Sequence, residues 1–112
     1  MGATYIHDGQ MVDYQPTAIV TFGQVVVQND LVGVANLDIP ANVLGALMVS
    51  GVFDVPKASG AGTAIAAGAT VYWDEADQQA KTDDESGANK RLGKTVAAAT
   101  DDDTTVRVRL SQ

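Results

Sequence analysis

Apolar residues along this chain come in short runs, cut every roughly 8–12 residues by Gly, Pro, Asn or Asp, which is how small half-buried β-strands joined by tight turns read. The cleanest alternation is at residues 104–110. There Val106, Val108 and Leu110 share one face and Arg107 and Arg109 the other. Residues 25–27 and 31–35 flank Asn29-Asp30, and residues 4–7 and 10–14 flank Asp8-Gly9; both pairs predict hairpins. A short strand is expected at 18–22, after Pro16, and a connector at Pro40-Ala41-Asn42. The longest expected strand is 46–55, with Leu47, Val49, Gly51, Phe53 and Val55 on one face and a mixed set on the other. Residues 70–74 predict a strand that carries the only Trp, and residues 92–98 a strand joined to the last one across Asp101-Asp102-Asp103. Before the Trp strand, 58–69 is a Gly/Ala/Ser/Thr surface loop with a short strand at 64–66, and after it 75–91 is a polar loop. Ala97-Ala98-Ala99 is too short to sustain a helix. The expected fold is all-β: a small single-domain β-barrel or β-sandwich over residues 1–112, with long Gly/Ala-rich and acidic loops.

Charge sharpens the picture. The net charge is −7, and residues 1–56 hold five Asp and neither Lys nor Arg. All seven basic residues lie between Lys57 and Arg109. An acidic chain repels phosphates and anionic lipid, so neither nucleic acid nor membrane is expected as a partner. The chain has no cysteine, which removes disulfides and thiolate chemistry. Its first residues do not read as a secretory signal, and no apolar run approaches the length of a membrane span.

Candidate chemistry is thin. Gly93-Lys94-Thr95 looks like the tail of a phosphate-binding loop, but the first Gly should stand at position 88, which is Ala. His7 is the only histidine and has no partner cluster for a triad or a zinc site. Asp101-Asp102-Asp103 and Asp83-Asp84-Glu85 lack the alternate spacing of a calcium loop and read as solvated turns. Trp73 beside Tyr72 could form a carbohydrate platform, although a lone Trp on an alternating strand more often belongs to a core. No catalytic, cofactor-binding or metal-binding residue is expected.

Five segments taken in order carry a family resemblance: GQVVVQNDLVGVA at 23–35, GALMVSGVFDVPK at 45–57, GATVYWD at 68–74, LGKTV at 92–96 and TVRVRL at 105–110. Together they resemble the small capsid cement (decoration) proteins of tailed bacteriophages, in one register from about Ala3 to Gln112. The resemblance implies a non-enzymatic virion protein, made in the host cytoplasm, that coats the outer surface of an assembled head and stabilises it. It implies the major capsid protein as partner and a homo-oligomer, a trimer before a dimer. A β-rich terminus without positive charge suits strand addition to a capsid edge, so the capsid-contact candidates are Thr4, Tyr5, Ile6, Val12 and Tyr14 within the segment 1–14. Pairing of that segment within its own sheet is the alternative. Small residues allow close approach, so the self-association candidates are Phe53, Ala61, Gly62 and Ile65. The rival function is a stand-alone β-sandwich binding module, such as a carbohydrate-binding domain, which would expose Trp73.

Overall fold

The computed structural model describes residues 2–4 and 9–111. Among these residues the strands are β1 (Met11–Tyr14), β2 (Val25–Gln28), β3 (Leu31–Ala35), β4 (Gly45–Met48), β5 (Val52–Pro56), β6 (Thr70–Asp74), β7 (Gln79–Lys81), β8 (Lys90–Thr95) and β9 (Thr105–Leu110). One turn of 3-10 helix, Glu85–Gly87, is the only helical element among the described residues. The strands form two antiparallel sheets, of order β1-β4-β3-β2 and β5-β9-β8-β6-β7. Both sheets are open. β1 and β2 are edges of the first, β5 and β7 of the second, and no strand among the described residues closes the circuit. Of the barrel or sandwich expected from the sequence, the barrel is therefore overturned.

The reason lies in the segment expected as one long strand at 46–55. It is two strands in different sheets, broken at Val49-Ser50-Gly51. Gly51 has φ 115°, a backbone conformation that side-chain-bearing residues rarely adopt, so the extended run cannot continue through it. The chain leaves the four-stranded sheet at β4 and enters the five-stranded sheet at β5 without a strand that belongs to both.

Two cores result. In the larger, Val25, Val32 and Val34 of the first sheet meet Val55, Val71, Trp73, Leu92, Val106, Val108 and Leu110 of the second. The alternation expected at 104–110 holds, with Val106, Val108 and Leu110 inside and Arg107 and Arg109 outside. The hairpin at 25–35 also holds, with Gln28 opposite Leu31 and Asn29 at φ 53°. The opposite face of the small sheet (Val26, Ala35 and Leu47) is covered by Val20 and Ile39, with Val12 and Tyr14 packed alongside. Val20 and Ile39 belong to two loops joined by a single bridge, so the strand expected at 18–22 is reduced to one pair. The short strand expected at 64–66 is likewise one bridge, Ile65 to Ala99.

The polar stretch 75–91 holds an unexpected strand, β7, bent back on β6 through a tight turn. Asp74 sets that turn. It is buried, accepts the Asp77 backbone N–H at 3.1 Å and lies 3.5 Å from Lys81 Nζ. The Asp77 N–H is the main reason its carboxyl is held below the usual carboxylate range; burial opposes this and Lys81 assists it. A depressed folded value means a contribution that is present above the unfolded value and lost as pH falls through the folded one. Thermal stability should therefore drop as pH falls through and below the ordinary carboxylate range. Asp74→Asn should be less stable at the upper end and show a smaller drop, as read by parallel melts; an unchanged drop would contradict the assignment.

Candidate interaction surfaces

The described residues offer no reaction centre. Gly93-Lys94-Thr95 lies within β8, and the pairing continues from the Val96 N–H to the Arg107 carbonyl, so no phosphate-binding loop exists there. No group of three or more His, Cys, Asp or Glu among the described residues is placed to hold a metal ion. The carboxylates of the acidic turns are engaged by backbone N–H groups, within the turn or from a neighbouring loop. Asp101 Oδ1 accepts the N–H groups of Thr63 and Ala64, Asp103 Oδ2 accepts that of Thr100, and Asp83 Oδ1 accepts that of Glu85. Trp73 is 2% exposed and sits in the larger core, which removes the aromatic platform that a carbohydrate module would need. His7 lies outside the described residues.

What the molecule presents is two surfaces of opposite character. The first is the outside of the loops that cover the small sheet. Phe22 (70% exposed), Leu37 (73%) and Leu44 (62%) project there, with Ile19, Val43 and Met11 also exposed. Leu37, Ile39, Val43, Leu44 and Met11 line a shallow groove of about 220 Å³. A second recess of about 170 Å³ runs from Phe22 to Phe53 and shares Asn36 with the groove. The groove's lining includes one charge, Asp38, whose Oδ1 caps the Phe22 N–H at 2.7 Å; Asp13 stands exposed on the adjoining β1. Sequence reading missed this surface because it assigned 18–22 to a strand. The available signal was Leu37, Val43 and Leu44 in a stretch too rich in turn residues for any strand register to bury.

The second surface is the outer face of the five-stranded sheet. Lys94 and Arg109 are direct cross-strand partners there. Arg109 pairs on its other side with Val52, itself 54% exposed, and Arg91 is exposed opposite Tyr72. Arg107 is neutralised by Asp54 at 2.9 Å, which lowers the Asp54 carboxyl below its usual range and raises the guanidinium. Both partners of that pair are exposed, so it adds little stability.

The capsid-contact candidates fall on different ground. Tyr5 and Ile6 lie outside the described residues, and Thr4 is exposed. The hairpin expected about Asp8-Gly9 falls partly outside them too. Val12 and Tyr14 lie on β1, which pairs with β4 through Val12–Leu47 and Tyr14–Gly45 and forms a sheet edge. Of the self-association candidates, Ala61 and Gly62 are exposed, Phe53 is half-buried against the larger core, and Ile65 is buried within it.

A family model described as phage cement protein matches residues 6–110. No curated protein matches the chain, and no solved structure does.

Proposed function

We propose, from the premise that the chain belongs to the phage cement protein family, that it binds the outside of an assembled tailed-phage head and stabilises the shell. The family match over residues 6–110 carries this reading. An all-β body whose described residues hold no reaction centre, with a broad apolar surface free of cations, supports it; exposed apolar patches of this kind mark protein partners. The work done is mechanical. A protein that bridges neighbouring capsid subunits must be released before they separate, so its binding free energy is added to the shell by mass action. A homo-oligomer, a trimer first and a dimer next, multiplies weak individual contacts. The major capsid protein is the partner, and the virion surface the location.

Attachment runs through the N-terminal segment and the edge of β1. Removing residues 1–14 would also take away a strand of the small sheet, so the informative deletion is 2–8, which leaves β1 paired to β4. That deletion should leave the melting temperature within a few degrees and weaken co-sedimentation with emptied mature heads by at least about tenfold, since strand addition supplies several main-chain hydrogen bonds. Undiminished binding would exclude the segment as the attachment site. Failure of the intact protein to bind heads would exclude the cement role itself.

A further inference from the structure

We infer that the two surfaces bind each other between copies, so that the basic outer face of β8–β9 in one protomer seats on the apolar, acid-rimmed groove of the next. This rests on the reading above that the protein acts as a homo-oligomer, and supplies its contact. Lys94 and Arg109 stand directly opposite each other on adjacent strands, an arrangement that costs free energy when both carry the same sign. Among the described residues neither makes an ion pair, nor does Arg91, whereas Lys81, Lys90 and Arg107 each have a carboxylate. In a chain of net charge −7, three cations left together on one sheet face call for an anionic surface from outside.

The groove has the complementary make-up. Leu37 and Leu44 stand exposed in its lining together with Asp38, and Asp13 lies on the neighbouring strand. No Lys or Arg occurs anywhere in residues 1–56. The basic face has its own apolar contribution in Val52 beside Arg109. Either surface set against a second copy of itself would bring like charges together, which disfavours a twofold contact through one patch. Basic face to acidic groove is the pairing that satisfies both. Such a head-to-tail contact closes into a ring when its rotation allows, and a trimer is one such ring.

The test is sedimentation of the full chain with two reversed variants. Lys94→Glu with Arg109→Glu reverses the basic face, and Asp13→Lys with Leu37→Lys reverses the groove while sparing the Asp38 cap. The wild type should associate. Each variant alone should associate at least about tenfold more weakly. An equimolar mixture of the two should associate more strongly than either variant alone, because each offers the surface that the other lacks, although a three-membered ring of the two restores only two of its three contacts. Wild-type association should weaken between about 50 and about 500 mM salt, where the screening length falls to roughly 4–5 Å. A monomeric wild type, or variants that associate as well as it does, would overturn the contact, as would a mixture that stays apart while both variants melt normally. If the glutamate pair fails to fold, Lys94→Gln with Arg109→Gln takes its place, with weakened association expected and unchanged association overturning the contact. Co-sedimentation of the same proteins with heads separates this from the cement role. The dissociated Lys94→Glu with Arg109→Glu variant, whose changes lie away from β1, leaves that role standing if it still binds heads weakly, and an intact oligomer that ignores heads removes it.

Discussion

Replacing Gly93 with alanine should cost about 3 kcal/mol or more, the upper end of what overpacking a tight interior does. A Cβ at this position would overlap the Arg109 carbonyl oxygen on the neighbouring strand and crowd the Ser111 backbone nitrogen. Both are backbone atoms, so no side-chain rotation relieves the clash. The cause is a bulge. Val71 pairs with Gly93 but Tyr72 with Arg91, which leaves Leu92 as an extra residue in β8. The bulge turns Leu92 fully into the core and brings Gly93 hard against β9, where the Ser111 N–H donates to the Leu92 carbonyl. An alanine would have to push β9 away, and β9 also holds β5. The expected result is a fall in melting temperature of roughly 10–20 °C for a domain of this size. Lys94→Ala, next along the strand but exposed, should melt like the wild type or slightly higher, since it relieves the opposition to Arg109. A Gly93→Ala variant melting within a few degrees of wild type would show that β9 yields easily.

The same residue marks how far sequence reasoning reached. As a motif, Gly93-Lys94-Thr95 invited comparison with a nucleotide loop, and the missing glycine at 88 was enough to set that aside. Why a glycine stands there could not be read, because the reason is a carbonyl sixteen positions along the chain. Elements with local signals were legible. Val106, Val108 and Leu110 announced their inward face by alternation alone, and Asn29 supplied the positive φ that a two-residue turn needs. Trp73 was correctly weighed toward the core. What failed was anything decided by partners distant in sequence. Residues 46–55 have the alternation of one strand, and only the Gly51 conformation divides them between sheets. β7 contains one apolar residue, Ala80, and exists because Asp74 and Lys81 close the turn that leads into it. The interaction surfaces were half legible. The segregation of charge along the chain was plain, whereas the opposition of Lys94 to Arg109 needed the strand register.

Lys57→Met should be the second large loss, about 3 kcal/mol, and it concerns the Gly/Ala loop that composition alone makes look slack. Lys57 is 3% exposed, yet no carboxylate lies in ion-pair range among the described residues. Its ammonium instead donates to the carbonyls of Ala58 at 2.7 Å, Thr100 at 3.0 Å and Asp103 at 3.0 Å, with Thr63 Oγ1 at 3.4 Å. Three N–H bonds and three carbonyls close the site without a counter-ion. Around it, the Gly60 N–H donates to the Asp101 carbonyl, and Asp101 Oδ1 takes the N–H groups of Thr63 and Ala64. Lys57 is thus the central tie between the loop that follows β5 and the turn that precedes β9. Methionine keeps the length and the apolar stem but leaves the Ala58 and Asp103 carbonyls without the ammonium donor and the Thr100 carbonyl with only the Asp103 N–H, each lost bond being worth about 1–3 kcal/mol when water cannot replace it. The exposed turn at 100–103 admits some water, which keeps the expected total near the lower end of that sum. Arginine should not rescue the site, because a planar guanidinium cannot direct donors to three carbonyls arranged around a point. Hydrogen exchange distinguishes this from general loosening. The amides of Thr63 and Ala64 should lose protection in Lys57→Met by a larger factor than those of the Trp73 strand. Equal loss at both would mean that the ammonium supports the whole fold rather than the loop, and an unchanged melt would mean that water fills its place.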